Sequence, residues 1–396
     1  MFINYRKVVL GGKVLVKKIG IVTVFTGYNY GSLLQAYSMQ QVLRKLGYQP
    51  RLLWDKEGLV KGRDIRIKKI LVMAFRALIQ PKAFRESIAS YKSANNQRVL
   101  NESKKKFDEF TDKYLKIERY SYRNLKKIGI SQEFHAFVCG SDQIWNSKAI
   151  YVDPLYYLKF APNNKKIAYA PSFGKDEIPE YNRKKIKSYL QSIKYLSIRE
   201  EKGKEIIKDL INKEVPVLID PTLLLDGQYW SSLSKSLNSE PYVLFYFLSE
   251  PSIETIEILR EIETYFNKKV VVLPSIADWH NEFQRVETMP TGPIEFISLI
   301  KNADFVCTDS FHGMSFSVNF NIPFLVFKRN YGKASNQSSR ISSLLSILGL
   351  EDRYVKNDVL NLEKIDIVEF NQANCILKNE RNKSILYLKS ALKDCY

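Results

Sequence analysis

Short apolar runs with strand character alternate with helix-like segments along most of the chain, and this alternation constrains the fold most strongly. The first unit combines IGIVTVF (19–25), a helix predicted over 32–46 and a short strand near Leu52. Later strand-like runs lie at 135–140, 166–172, 195–200, 215–220, 242–248, 270–274, 304–309 and 322–327. Such a pattern predicts an α/β protein with largely parallel sheets. The 396 residues are enough for two domains.

We predict two Rossmann-like domains that face a cleft, the first at 1–205 and the second at 206–396. Residues 61–130 are basic, rich in helix formers and without a convincing strand, so they are expected to form a helical insertion in the first domain. A final helix is predicted at 378–393, packing back on the first domain. The functional site is expected in the cleft, at the carboxyl ends of the strands.

The positive charge is concentrated in the first third of the chain. The net charge is +19, and residues 1–130 hold 28 basic and 9 acidic side chains, whereas the remainder holds 33 of each. This asymmetry indicates a polyanionic partner, such as an anionic membrane surface, a phosphorylated substrate or nucleic acid; the alternative is a solvated basic face. No zinc-finger or RNP motif occurs, so specific nucleic-acid binding is not expected.

The stretch 63–86 combines basic and apolar side chains at helical spacing. Its apolar stripe either packs on the domain or makes a peripheral contact with an anionic membrane. No apolar run is long enough to span a bilayer, and the first residues lack the features of a signal peptide. We therefore expect a cytoplasmic protein, with a peripheral position on the inner face of the membrane as the further option.

The cysteines do not indicate a disulfide framework or a metal site. The four are Cys139, Cys307, Cys375 and Cys395, and no C-x-x-C pair occurs. Cys139 and Cys307 lie in apolar runs and are predicted to be buried strand thiols. No metal is expected.

The first strand–loop–helix contains a group of polar and aromatic residues at the predicted start of the helix. These are Asn29, Tyr30, Gly31, Ser32 and Gln35. A helix N-terminus offers free N–H groups and a positive dipole end, which suits an anion or a hydroxyl. The segment has neither the dinucleotide-binding nor the Walker glycine pattern. A plain turn is the alternative interpretation.

The segment FVCGSDQIWN (137–146) places Asp142, Trp145 and Asn146 directly after a predicted buried strand. A carboxylate, an amide and an aromatic face together suit a polyhydroxylated ligand. The alternative is a capped helix start with Trp145 in the core.

The segment DFVCTDSFHGMSFSVNFNIP (304–323) places His312 in the first turn of a predicted helix. The helix dipole disfavours a protonated imidazole there, and Asp309 is expected to restore it, which suits acid–base catalysis. Several cations follow predicted strands and are candidates to bind a carboxylate or phosphate: Arg199, Lys328, Arg329 and Arg340. Arg199 is the best placed, because its strand end faces the expected cleft.

Together these segments resemble the polysaccharide pyruvyl transferase family. The resemblance depends on NYGSLLQAYSMQQVLRKLGY (29–48), GSDQIWN (140–146), SIRE (197–200), LIDPTLLL (218–225), TDSFHGMSFSVNFNIPFLVF (308–327) and SSRISSLLSILGL (338–350). It implies a GT-B-like fold and transfer of a pyruvyl group from phosphoenolpyruvate to sugar hydroxyls as a ketal. Phosphoenolpyruvate would be a co-substrate, and no further cofactor is implied.

The resemblance also implies a role for each candidate residue. His312 would do the protonic work with Asp309 as its orienter. Donor binding would fall to Arg199, Ser310, Gly313, Lys328 and Arg340. The polar groups near residues 29–35 and 142–146 would face the acceptor, a lipid-linked or nucleotide-linked saccharide of cell-surface polysaccharide synthesis.

One position departs from the family pattern. Family members often carry Arg two residues before this histidine, and here the residue is Ser310. Arg340 or Arg329 would then supply the missing charge, or the donor would differ. The enzyme alternative is a GT-B glycosyltransferase using a nucleotide sugar, and the non-enzyme alternative is a basic nucleic-acid-binding protein.

Overall fold

A computed structural model describes residues 7–10, 13–55, 67–85, 101–236, 240–273, 278–329, 339–355, 362–363 and 365–395. The strands in these ranges form two sheets of parallel strands and one antiparallel hairpin. Helices connect most of the parallel strands, as crossover connections require. The predicted α/β class with two Rossmann-like units is confirmed.

The first sheet is built from the amino-terminal half of the chain. Its strands are β3 (Lys18–Val22), β4 (Gln49–Asp55), β5 (Ile117–Tyr120), β6 (Phe134–Cys139) and β7 (Lys166–Ala168), preceded by the hairpin β1 (Lys7–Leu10) and β2 (Lys13–Val16). The strand order is β5-β4-β3-β6-β7. The helices are α1 (Tyr30–Lys45), α2 (Ile67–Ile79), α3 (Asn101–Tyr114), α4 (Tyr122–Ile130), α5 (Glu180–Leu190) and α6 (Glu201–Ile211). The central strands are continuous apolar runs because both of their faces are buried.

The second sheet is built from the carboxyl-terminal half. Its strands are β8 (Tyr242–Tyr246), β9 (Lys269–Val272), β10 (Val286–Thr288), β11 (Phe305–Thr308), β12 (Phe324–Phe327) and β13 (Tyr354–Val355). The strand order is β10-β9-β8-β11-β12-β13. The helices are α7 (Pro221–Leu224), α8 (Gly227–Leu233), α9 (Ile253–Phe266), α10 (Pro293–Asn302), α11 (Phe311–Phe320), α12 (Ser339–Leu348) and α13 (Phe370–Lys393).

The last helix, α13, contacts residues of both halves. The Tyr387 hydroxyl donates to the carbonyl oxygen of Ala168 at 3.0 Å, and the ring Nε2 of His135 lies 2.7 Å from the carbonyl oxygen of Leu392. Arg381 Nε donates to the carbonyl oxygen of Leu223 at 2.7 Å.

Isolated parallel bridges continue the first sheet as far as Val217. The domain boundary at 205/206 stays a prediction.

The prediction that residues 61–130 contain no strand is wrong. The segment Ile117–Tyr120 forms β5, which pairs in parallel with β4 at the edge of the first sheet. An edge strand tolerates charged side chains, and Glu118 accepts a 2.9 Å hydrogen bond from Arg51 Nε of the neighbouring strand. Residues 61–66 and 86–100 of the predicted insertion lie outside the described residues.

Cys139 and Cys307 are buried within β6 and β11, as predicted. Burial raises the pKa of both thiols, so each stays protonated at neutral pH. Among the described residues, no helix combines the length and apolar character that crossing a bilayer requires.

Two neighbouring leucines of α13 test how this helix is held. Leu388 is fully buried, whereas Leu386 is 64% exposed on the same helix. We expect Leu388→Ala to lower the free energy of unfolding by about 2–5 kcal/mol, because it leaves a cavity in the core. Leu386→Ala is the control and should stay within about 0.5 kcal/mol of wild type. Urea unfolding measures both; equal effects would contradict the packing of α13 described above.

Candidate active site

Two helix N-termini, one from each half of the chain, meet at the candidate site. Helix α1 is capped by Asn29, whose side chain accepts a hydrogen bond from Ser32 N, and α11 is capped by Ser310, which accepts from Gly313 N. Gly31 lies against His312: a Cβ added at Gly31 would overlap the imidazole ring. Position 31 therefore requires glycine. The close contact of Gly31 with His312 places the N-termini of α1 and α11, the positive ends of both helix dipoles, next to each other.

Arg199 lies at the centre of this site and is buried. Its Nη1 donates to Asp220 Oδ2 at 2.6 Å, and its Nη2 lies 3.6 Å from Asp142 Oδ1. Its guanidinium also stacks on the ring of Phe311, 4.6 Å from the ring centre. Among the described residues, Nε and Nη2 have no hydrogen-bond partner. These remaining N–H groups make Arg199 a candidate for anion binding.

His312 is the second buried group with an unused polar atom. Its Nε2 lies 3.7 Å from Asp220 Oδ2, which is longer than a hydrogen bond, and it has no hydrogen-bond partner in the described part of the chain. The imidazole therefore sits beside a buried carboxylate with its Nε2 available. This arrangement suits proton transfer to or from a bound ligand.

Asp142 joins the loop after β6 to the start of α1. Its Oδ2 accepts a 2.5 Å hydrogen bond from the Ser32 hydroxyl. Burial raises the pKa of Asp142, but the charges of Arg199 and His312 and the bond from Ser32 outweigh it, so the pKa lies below its usual value. Asp142 is therefore a carboxylate at neutral pH. The structure thus brings together the predicted residues Gly31, Ser32, Asp142, Arg199 and His312.

Three predicted acceptor-binding residues are buried in structural roles. The Trp145 ring is stacked on Tyr157 and its Nε1 donates to the carbonyl oxygen of Tyr156, as the core alternative expects, while acceptor binding by Trp145 stays an untested prediction. Tyr30 is stacked on Phe296 and donates to the carbonyl oxygen of Thr291. These contacts leave both aromatic faces covered by protein.

Gln35 is the third of these residues. Its amide nitrogen donates to Thr23 Oγ1 and to the carbonyl oxygens of Val24 and Ser32, while its Oε1 accepts from Ser141 N. A fully bonded, buried amide cannot also bind an acceptor. Gln35 instead fixes the two loops that carry Ser32 and Asp142. Asn146 is exposed, and its Oδ1 accepts from Lys148 N.

Asp309 does not take the orienting role predicted for it. Its Oδ1 accepts from Leu248 N, and its Oδ2 accepts from Ser249 N and Oγ and from Arg329 Nε. The carboxylate therefore holds the loop after β8, and the carboxylate beside His312 is that of Asp220. Because Arg329 pairs with Asp309, Arg329 is also committed to this loop.

The remaining predicted donor-binding residues differ in exposure. Ser310 and Gly313 are buried at the start of α11, where a Cβ on Gly313 would overlap Thr308. Lys328 is exposed at the end of β12. Arg340 is buried in α12, and its charge lowers the pKa of Asp142. Of the two arginines proposed to replace the one missing at position 310, Arg329 lies against the neighbouring residue Asp309, whereas the charge of Arg340 acts on Asp142.

Sequence reasoning missed two ionisable residues of the site, Asp220 and Glu200, and one buried lysine whose pKa the charge of Arg340 affects. Asp220 lies in the segment LIDP, which contributed to the family resemblance without a role being assigned to it. Glu200 is the acidic neighbour of Arg199, and burial raises its pKa despite the charges of Arg199 and Arg340. Lys175 carried no sequence signal, and burial together with Lys148 and Arg340 lowers its pKa to about 8.

The chain matches a family model described as polysaccharide pyruvyl transferase over residues 29–331. This range includes both helix starts and the residues Asp142, Arg199, Asp220 and His312. No curated protein matches the chain.

Several solved structures have a distant overall similarity to this chain. UDP-GlcNAc 2-epimerase from Neisseria meningitidis, bound to UDP-GlcNAc, has 10% identity and a TM-score of 0.47 over 95% of this chain and 100% of that chain. MurG from Acinetobacter baumannii has 9% identity and a TM-score of 0.46 over 95% and 99%. The glycosyltransferase SnogD from Streptomyces nogalater has 10% identity and a TM-score of 0.43 over 96% and 98%.

Glu200 gives the site a pH-dependent effect on stability. Burial raises its pKa above the value in the unfolded chain, so the folded protein binds this proton more tightly. Its contribution to stability is therefore greatest at low pH and decreases as the pH rises through the folded pKa. Glu200→Gln keeps an oxygen for Ser172 Oγ and Phe173 N. We expect the stability of this variant relative to wild type to increase as the pH rises above the usual pKa of a glutamate, about 4.3.

The matched control is Glu201→Gln, which changes the neighbouring exposed carboxylate. Its stability relative to wild type should show no such rise. Melting temperatures measured over a pH series test both variants. A constant difference between Glu200→Gln and wild type would show that Glu200 has the same pKa in the folded and unfolded states.

Proposed function

Because the chain belongs to the polysaccharide pyruvyl transferase family and is a transferase, we propose that it transfers the pyruvyl group of phosphoenolpyruvate to hydroxyls of a saccharide. The observation that carries this proposal is the pair of buried groups with unused polar atoms, Arg199 and His312, at two facing helix starts. The carboxylate and phosphate of phosphoenolpyruvate need several N–H donors and cations. Arg199, Arg340 and the amide groups at the start of α11 would supply them.

The reaction chemistry fits the same residues. A proton is added to the methylene carbon of phosphoenolpyruvate, a sugar hydroxyl bonds to the neighbouring carbon, and the bond from that carbon to the phosphate oxygen breaks. A second hydroxyl then bonds to this carbon and closes the ketal. The proton of one sugar hydroxyl replaces the proton that the catalytic acid gave to the methylene carbon. The proton of the other hydroxyl leaves with the phosphate. His312 would move these protons through Nε2, and the Asp142 carboxylate would stabilise the cationic carbon.

The acceptor would be a lipid-linked or nucleotide-linked saccharide of cell-surface polysaccharide synthesis. Ser32 and Asp142 line the first-sheet side of the site and are suited to hydroxyl groups. Because Tyr30, Trp145 and Gln35 are buried, we propose acceptor contacts for fewer residues than the sequence suggested.

A cytoplasmic protein in this role would meet a lipid-linked acceptor at the inner face of the membrane. Helix α2 supports such a contact because its apolar side chains point outward: Ile67, Leu71, Phe75 and Leu78 are 64%, 65%, 63% and 83% exposed. The opposite side of the helix is held by Arg76, which donates to the carbonyl oxygen of Tyr181 and to Asn182 Oδ1. An outward apolar stripe within a strongly basic region is typical of helices that bind anionic bilayers.

Ligand-dependent melting tests the donor. Phosphoenolpyruvate should raise the melting temperature of wild type by mass action and leave that of Arg199→Ala unchanged. The control Arg183→Ala removes a surface guanidinium that pairs with Asp209 and should respond as wild type does. UDP and GDP are measured alongside. A shift with a nucleoside diphosphate alone would replace this proposal with glycosyl transfer.

Vesicle binding tests the membrane contact. Wild type should co-sediment with phosphatidylglycerol-containing vesicles and not with pure phosphatidylcholine. The double variant Leu71→Gln/Leu78→Gln should bind at least about tenfold more weakly, because burying each leucine contributes about 1.5–3 kcal/mol. Leu386→Gln is the control, since this exposed leucine lies on α13. Equal binding of the double variant and wild type would contradict a role for α2.

A further inference from the structure

Asp220 lies on the segment that joins the two halves of the chain, and its carboxylate is held in one orientation. It is fully buried and caps α7. Its Oδ1 accepts hydrogen bonds from Thr222 N at 3.0 Å and from Thr222 Oγ1 at 2.8 Å. These two bonds fix the plane of the carboxylate and leave Oδ2 to face the candidate site.

Oδ2 of Asp220 contacts groups of both halves. It accepts from Arg199 Nη1 at 2.6 Å and from Ser141 Oγ at 3.1 Å. The same oxygen lies 3.7 Å from His312 Nε2. One negative charge therefore lies beside the anion-binding guanidinium and beside the imidazole. Because Arg199 and His312 are both buried, solvent screens their electrostatic interactions with Asp220 only weakly.

We propose that Asp220 is a positioning residue that holds the guanidinium of Arg199 and, at 3.7 Å from Nε2, stabilises positive charge on the imidazole of His312. The proposal rests on the pyruvyl transfer proposed above, in which His312 gives a proton to the methylene carbon of phosphoenolpyruvate. Asp220 itself neither gains nor loses a proton in this scheme. It acts through the two residues that touch the donor.

The charges around the pair favour this assignment. Burial alone raises the pKa of Asp220, but His312, Arg199 and the Thr222 N–H outweigh it and the pKa lies below its usual value. The other charged groups that face Asp220 and His312 are Asp142 and Arg199, and Glu200 and Arg340 lie beyond them. Asp309 is excluded from this role because both of its oxygens bind the loop after β8 and Arg329.

Asp220→Asn tests the proposal, because asparagine keeps an oxygen for Thr222 and removes the charge. The first readout is the pH at which the NMR signals of the His312 ring change, assigned among the three histidines by comparison with His312→Gln. We expect this transition to move to lower pH by about one unit or more. The second readout is the affinity for phosphoenolpyruvate, measured over a pH series. As the pH rises, the affinity of Asp220→Asn should begin to fall at a lower pH than that of wild type.

Two further variants keep the test decisive. Asp220→Ser retains a helix cap without a second amide donor facing Arg199, and serves if Asp220→Asn does not fold. Asp142→Asn removes the second carboxylate beside Arg199 and should move the His312 transition less. An unchanged transition in a folded Asp220 variant, or an equal shift with Asp142→Asn, would overturn the proposal. If wild type fails to bind phosphoenolpyruvate, the proposed function fails, while the ring signals still test Asp220.

Discussion

The buried ion pair between Arg199 and Asp220 is the interaction on which the site depends. Removing two charges from water is costly, and the 2.6 Å hydrogen bond between them only partly offsets that cost. Arg199 follows the first sheet, whereas Asp220 begins the short helix that leads into the second half. The pair therefore fixes the two halves relative to each other at the point where Gly31 meets His312. Apolar residues of similar volume would stabilise this junction as well.

The fold and the centre of the site were predictable because each has a local sequence signal. Buried parallel strands are continuous apolar runs, and these correctly located β3, β6, β8, β9, β11 and β12. The carboxyl ends of parallel strands meet at one edge, so residues following the strands, such as Asp142 and His312, could be expected to converge. Strand β5 was missed because an edge strand of four residues, half of them charged, has no apolar run.

Side-chain direction was not predictable from the motifs, and this explains where the structure departs from the predicted contacts. Trp145, Tyr30 and Gln35 lie in the right segments, but their side chains turn into the protein and hold the loops. Asp309 and Asp220 are both acidic residues near strand ends, and the sequence favoured the one closer to His312 in the chain. Only the tertiary structure shows that Asp309 is bound by the loop after β8, whereas Asp220, 92 positions before His312, faces the imidazole.

The buried cations proposed to bind the donor and the excess of positive charge lie in different parts of the chain. The buried cations of the site, Arg199, Arg340 and Lys175, all come from residues 131–396, where acidic and basic side chains balance. The entire net charge of +19 lies in residues 1–130, whose cations are mostly at the surface wherever the structure describes them. Binding one small anionic donor therefore does not account for the excess. The excess lies instead in the region that carries the outward apolar stripe of α2.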